Sequence, residues 1–243
     1  MNITYFGHSC FQIEISGAKI LFDPFIKPNP LARNIDIQTI HPDYILISHG
    51  HADHVADVAE IAKNCNAKLV AMWEVVSWFE KQGIQNGHPM NLGGSFKTDF
   101  GKITMTQALH SSSMPDGSYG GNPAGFVVQS ENSSFYYAGD TALFGDMSLI
   151  GKQYKPEFAL LPIGDNFTMD YTSALEAAKL LNVKKVIGMH YDTFDAIRID
   201  QDDAINYFNV NGVELVLDII IQQLDIFIVD HNESFFVCPP IRF

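Results

Sequence analysis

The sequence predicts an α/β architecture in which two β-sheets are covered by outer helices. A strand-rich opening gives way to helix-strand alternation, and the same two modes then recur, a pattern that layered folds satisfy. Eighteen glycines and eleven prolines imply many turns joining short elements. With 243 residues, 47% of them hydrophobic, the chain is long enough to bury a sizeable core and is expected to form one domain over 1–243.

The elements follow in order. Residues 3–6, 10–15 and 19–22 read as a β-meander with Ser16-Gly17 as a turn, and a Pro-rich loop, 24–30, comes next. The apolar run 44–48 reads as a strand entering a histidine-rich segment. Val55, Val58, Ala59 and Ala62 have helical spacing and predict a helix over 55–65, with Asp53 at its start, where the helix dipole favours negative charge. Residues 68–72 read as a buried strand, 74–82 as a helix ended by Gly83, and 85–94 as turns. Strands recur at 103–109, 125–129, 135–138, 158–162 and 185–189. Ser173, with Glu176 three residues later, predicts a capping box before 177–181. Asp200 is expected to cap a last helix through Phe208, which Gly212 ends.

Composition narrows the function. A formal net charge of −13 argues against a protein that grips phosphate backbones, so nucleic acid is not an expected partner. Cys10, Cys65 and Cys238 are far apart with no paired spacing, which suggests neither a disulfide framework nor a thiolate zinc site and fits a reducing cytoplasm. The start carries no export signal, and the most apolar tract, 213–229, is interrupted by Glu214, Asp218, Gln222, Gln223 and Asp225, so no membrane span is expected.

The chemistry is concentrated in residues 49–54, His-Gly-His-Ala-Asp-His. His49, His51 and His54 offer imidazole nitrogens and Asp53 a carboxylate, the ligand types that divalent ions such as zinc prefer. In an extended segment, residues two apart point the same way, so His49 and His51 can grip one ion while Asp53 and His54 face another. His110, Asp140 and His190 each follow an apolar run, at strand ends where ligands collect in layered α/β folds.

These residues resemble a known family. Gly7-His8-Ser9-Cys10-Phe11, Leu21-Phe22-Asp23-Pro24, the segment 48–54, Ala138-Gly139-Asp140-Thr141, the string 161–169 and Gly188-Met189-His190-Tyr191 are similar to motifs of the metallo-β-lactamase superfamily. Within it they resemble the UPF0173 metal-dependent hydrolases, related to the ascorbate-6-phosphate lactonases. The resemblance implies a four-layer αββα sandwich of two mixed β-sheets flanked by helices, and a hydrolase acting on a small molecule. It implies one ion on His49, His51 and His110, another on Asp53, His54 and His190, and Asp140 bridging them. Two divalent ions about 3.5–4 Å apart make a nucleophile of a shared water near neutral pH and polarise the scissile bond of an ester, lactone, amide or phosphodiester. Zinc is the default ion; manganese, nickel and iron fit the same donors. In the flavo-diiron branch the position of His51 is usually Glu, so His here favours hydrolysis over redox chemistry. A metal-dependent oxidoreductase or dioxygenase on the same fold, or a metal-binding regulatory module without catalysis, are the alternatives.

Supporting residues carry two readings each. Asp53 is a candidate to accept or relay a proton as well as a ligand. His8 is either an ordinary strand-end histidine or a catalytic group facing substrate. Asp23, before Pro24, either starts a turn or orients a ligand histidine, and the second is preferred. Asp165, Asn166 and Thr168 line the substrate pocket or merely form a turn. Tyr191 donates to a developing oxyanion or simply packs. Residues 111–124, too rich in Gly, Pro and Ser for regular structure, read as a rim or lid beside His110, or as a solvated connector. Trp73, Trp78 and Phe79 suit core packing or self-association better than substrate stacking. The run 218–230 and the tail to Phe243 depart from the family's usual end; an added edge strand, a homo-oligomer contact and a region foreign to the fold all remain open. His231 is left out of the site.

Overall fold

The computed structural model describes residues 1–217 and 223–225. Its first sheet begins with β1 (Asn2–Gly7), β2 (Cys10–Ile15) and β3 (Ala18–Phe22), antiparallel neighbours. Ile15 pairs with Ala18, so the β2–β3 turn has two residues, Ser16 and Gly17, with φ of 50° and 82°. Two left-handed residues make the turn whose twist matches that of its strands. β4 (Tyr44–Ile47), β5 (Lys68–Met72) and β6 (Gly87–Met90) then add in parallel beside β3.

The crossovers that parallel strands require are helical. Between β4 and β5 lie α1 (Ala52–Val55) and α2 (Val58–Cys65), and between β5 and β6 lies α3 (Trp73–Glu80). The single helix expected over 55–65 is therefore two. Asp57 breaks it: its N–H donates to the Pro24 carbonyl, and its carboxylate accepts from the N–H groups of Ile26 and Lys27 at 2.6 and 2.9 Å. These bonds tie the chain to the Pro-rich loop and leave His54 on a one-turn helix of its own.

The second sheet repeats the plan. β7 (Ser95–Thr98), β8 (Gly101–Gln107), β9 (Ala124–Gln129) and β10 (Ser134–Tyr137) are antiparallel neighbours. β11 (Phe158–Pro162), β12 (Lys185–Met189) and β13 (Glu214–Val216) follow in parallel. Helices α4 (Met147–Tyr154), α5 (Tyr171–Leu181) and α6 (Gln201–Val210) make the crossovers. Among the described residues each sheet has seven strands, ordered β14-β1-β2-β3-β4-β5-β6 and β13-β12-β11-β10-β9-β8-β7, where β14 is Gln223–Asp225. This is the expected αββα sandwich. β14 pairs antiparallel with β1, so an added edge strand is present within 218–230; the other readings of the tail, with His231 and Cys238, lie outside the described residues.

The core lies between the sheets. The Phe22 ring from β3 stacks on Tyr137 of β10 at 4.5 Å and meets Phe126 and Phe135 at 6.4 and 6.0 Å. Burying such rings stabilises the sandwich by about 1.5–3 kcal/mol each.

Other expectations change with their physical causes. Residues 85–94 are not all turns: β6 contains Pro89, which its place at the sheet edge tolerates. β7 is the opposite sheet's edge strand, and α4 is short and contains Gly151; neither has a pattern strong enough to read. The cap of α5 is Asp170, not Ser173: the Asp170 side chain accepts from the Ser173 N–H at 2.7 Å. Asp200 caps α6 as expected, accepting from the Asp203 N–H at 3.0 Å. Cys10 and Cys65 are free thiols. No helix among the described residues is long and apolar enough to cross a membrane.

Candidate metal centre

The two sheets meet at one end, where the strands deliver the histidine-rich motifs. The N–H of His190, just past β12, donates to the carbonyl of His8, just past β1, at 2.8 Å. The N–H of Ala124 at the start of β9 donates to the carbonyl of Ser48, just past β4, at 2.9 Å. His8, Asp23 and His190 sit at φ of 58°, 41° and 57°, a left-handed region that surrounding structure must enforce. Gly139, at φ 63°, precedes Asp140; a Cβ there would lie 2.6 Å from the Ala124 carbonyl oxygen and 2.8 Å from the Ser48 Cβ.

Side chains from five segments converge here in two groups. One candidate ligand atom from each of His49, His51 and His110 forms a set within 4.8 Å, and one from each of His8, Asp53, His54 and His190 forms another. Asp140 lies between them: its Oδ2 is 2.9 Å from His190 Nε2, 3.3 Å from His54 Nε2 and 3.7 Å from His110 Nε2. Three imidazole nitrogens around one carboxylate oxygen form a donor set suited to cations. His54 Nε2 and Asp140 Oδ1 are buried without a hydrogen-bond partner, as atoms reserved for ions would be. The residues present fit divalent metal ions.

Asp23 organises both groups from behind. Fully buried, it accepts from the Ser48 N–H at 2.8 Å through Oδ1, and through Oδ2 from Ser48 Oγ at 2.5 Å and from His54 Nδ1 at 2.9 Å. Since the Ser48 hydroxyl proton goes to Asp23, Ser48 Oγ accepts from His49 Nδ1 at 2.9 Å. One carboxylate thus fixes the tautomer of a histidine in each group and turns both Nε2 atoms toward the centre. Tyr137 OH lies 2.8 Å from the same Oδ2 and from the Ser9 carbonyl. Ser48 and Tyr137 were not singled out from sequence; the position of Ser48 directly before His49 was the one available signal.

Electrostatics prepare the site for cations. Burial holds His49, His51 and His110 below the ordinary imidazole value, which favours the neutral form a metal ligand needs; His49 Nε2 and His51 Nδ1 lie 2.9 Å apart and share a hydrogen bond. Burial opposes the charge on Asp140, yet His190 and His54 hold its carboxyl well below the usual range. Burial also opposes the charge on His54, but Asp140 and Asp23 raise it well above its ordinary value. Two carboxylates therefore demand positive charge at this point, which a proton or a metal ion satisfies.

Known proteins match this chain over most of its length. The family model described as beta-lactamase superfamily domain matches residues 18–191. A UPF0173 metal-dependent hydrolase from Methylacidiphilum infernorum is 53% identical over 208 residues, 86% of this chain and 92% of that protein. The chain belongs to the UPF0173 metal-dependent hydrolases of the β-lactamase superfamily. A relative of the same description from Flavobacterium johnsoniae is 49% identical over 226 residues, covering 93% of this chain and 100% of its own. Igni18, a metallo hydrolase from the archaeon Ignicoccus hospitalis, superposes with a TM-score of 0.83 at 35% identity, covering 92% of this chain and 97% of that one.

The remaining candidates of this UPF0173 hydrolase fall in different places. His8 is buried in the second group: Nδ1 is 3.0 Å from Thr193 Oγ1, Nε2 is 3.2 Å from Asp53 Oδ2, and its ring is 4.2 Å from that of His190. Burial lowers its value to about 4, so it is neutral and positions Asp53 more readily than it exchanges protons. Thr193 is a partner that sequence reading missed. Tyr191, next to His190, is buried against the hydrophobic core. Asp165 and Asn166 are exposed in a turn at φ of 63° and 54°, and the turn is tied to the site: the Met169 N–H donates to the Thr141 carbonyl at 3.1 Å, and Thr168 is half-buried beside it. Residues 111–124 do border the centre. Ser112 Oγ accepts from the Gly50 N–H at 3.1 Å, Ser111 Oγ is 3.4 Å from His51 Nε2, and a Cβ on Gly50 would meet Met114 Sδ at 2.5 Å. Trp78 packs half-buried against the core while its Nε1–H donates to Asp116 of that loop at 2.8 Å; Phe79 is buried and Trp73 exposed.

Proposed function

We propose that this hydrolase holds two divalent ions, zinc by default, and cleaves an ester, lactone, amide or phosphodiester bond of a small molecule. The observation that carries this is the convergence of His54, His110 and His190 on one oxygen of Asp140, which joins the two groups of ligands. His49, His51 and His110 would hold one ion, Asp53, His54 and His190 the other, and Asp140 both. When bound, such a pair makes water nucleophilic near neutral pH and polarises the bond to be cleaved.

The chain's own residues do the rest. Asp23 and Ser48 keep His49 and His54 in the tautomers that present Nε2. Asp53, oriented by His8, is an ionised carboxylate: burial works against its charge, but the hydrogen bond from His8 outweighs it, which suits a metal ligand and makes it a weaker base than an ordinary carboxylate, so its proposed part in relaying a proton is secondary to holding the ion. Residues 111–124 narrow the entrance and limit water. The turn with Asp165, Asn166 and Thr168 is the proposed substrate wall. An acidic chain with this site takes a small-molecule substrate rather than a polyanion.

Elemental analysis of the purified protein, paired with a panel of phosphodiester, lactone and thioester substrates, tests the reading. Asp140→Ala is expected to lower bound metal and abolish hydrolysis together. Full activity after loss of both ions would overturn the mechanism.

A further inference from the structure

Four exposed apolar side chains lie on segments that carry or adjoin the proposed ligands. Leu109, 50% exposed, directly precedes His110; its N–H donates to Thr141 Oγ1, and its carbonyl accepts from Ala142, so it lies against the segment leaving Asp140. Leu143, 38% exposed, continues that segment. Phe167, 56% exposed, tops the turn whose Met169 N–H is tied to the Thr141 carbonyl. Phe194, 37% exposed, has its ring 5.4 Å from that of His8. Leu149 and Val210, by contrast, are on outer helices α4 and α6, where isolated exposed apolar residues are ordinary. Several on the segments that carry a polar centre are what a ligand surface would present.

The charges on these and neighbouring segments offer an anionic group no unpaired cation at Lys27 or Arg198. Lys27 Nζ is engaged by Glu60 at 2.9 Å and Arg198 by Asp195 at 2.8 Å, while Asp165 is exposed two residues from Phe167. We propose that Leu109, Leu143, Phe167 and Phe194 form an acyl-binding rim, so that the substrate is an uncharged ester, lactone or amide with an apolar group beside its scissile bond. This deepens the hydrolase reading and rests on it for the word substrate, though not for the presence of the apolar subsite.

The test uses the metal-loaded protein and two probe series. Calorimetric binding of alkyl hydroxamates from acetyl to octanoyl is expected to tighten about fourfold per methylene while the chain is still being buried. Hydrolysis of the matching 4-nitrophenyl esters is expected to show the same gradient in kcat/KM. Phe167→Ser and Leu109→Ser are expected to flatten both gradients and retain their metal, while Leu149→Ser keeps the gradients intact. No gradient in the wild-type protein, an undiminished gradient in both rim variants, or faster cleavage of bis(4-nitrophenyl) phosphate than of every ester would each overturn the proposal. A hydroxamate gradient without hydrolysis of any substrate would uphold the rim and sink the hydrolytic mechanism instead.

Discussion

Replacing Asp23 by Asn tests how the centre is held. The residue sits at φ 41°, a conformation that Asn tolerates better than most, so the backbone is spared. Asn has one oxygen where Asp has two, and Asp23 receives donors on both: the Ser48 N–H on Oδ1, and Ser48 Oγ and His54 Nδ1 on Oδ2. Whichever way the amide turns, its NH2 faces a buried donor. An unsatisfied buried donor costs about 1–3 kcal/mol. His54 escapes by moving its proton to Nε2, the atom 3.3 Å from Asp140, and thereby ceases to be a ligand. Loss of an orienting carboxylate typically weakens metal binding about 10–100-fold, or about 1.4–2.8 kcal/mol, which agrees with the hydrogen-bond figure. Competitive titration of each metal equivalent against a chelating indicator measures this, with circular dichroism to confirm folding. Asp23→Asn protein that binds two equivalents with wild-type affinity would refute the reasoning.

Four further outcomes are expected. His8→Ala frees Asp53 and lowers retention of one metal equivalent on dialysis while the other is kept; elemental analysis showing both retained counts against the positioning role. Gly139→Ala places a Cβ 2.6 Å from the Ala124 carbonyl at a left-handed φ and is expected to cost about 1–3 kcal/mol, read as a lower Tm; an unchanged Tm would contradict it. Asp170→Ala removes the cap of α5 at a cost of about 1 kcal/mol near neutral pH. Burial opposes the Asp170 charge, but bonds from Thr172 and Ser173 hold its carboxyl below the ordinary value. Its contribution is therefore present above the unfolded carboxyl's value of about 3.9 and fades as pH falls through the lower folded value, so the stability gap in denaturant melts should narrow in acid; a constant gap argues otherwise. Tyr191→Phe, at a packed position, is expected to leave kcat within about threefold, whereas loss of a true oxyanion donor costs about 100-fold or more.

The sequence was most informative where chemistry and chain proximity coincide. His49, His51, Asp53 and His54 lie within six residues, so local geometry alone brings them together, and the strand before them could be read from its apolar run. Strands buried on both faces, such as β4, β11 and β12, announce themselves by continuous hydrophobicity. Edge elements did not: β6 and β7 owe their pairing to a neighbour supplied by the rest of the fold, and Pro89 argues locally against a strand. The break at Asp57 was equally hidden, because the groups that cause it, the backbone of Pro24, Ile26 and Lys27, are some thirty residues away.

By itself, then, the chain determined its fold class and the types of ligand it offers, since periodicity and side-chain chemistry are local properties. Only the tertiary structure decided that Asp23 would reach His54 and, through Ser48, His49, that His8 would bear on Asp53, and that Tyr191 would be packed in the core. The hydrogen bonds among them depend on how β1, β3 and β4, distant in sequence, come to lie in one sheet with their ends together, and no spacing along a chain encodes a bond made between those ends.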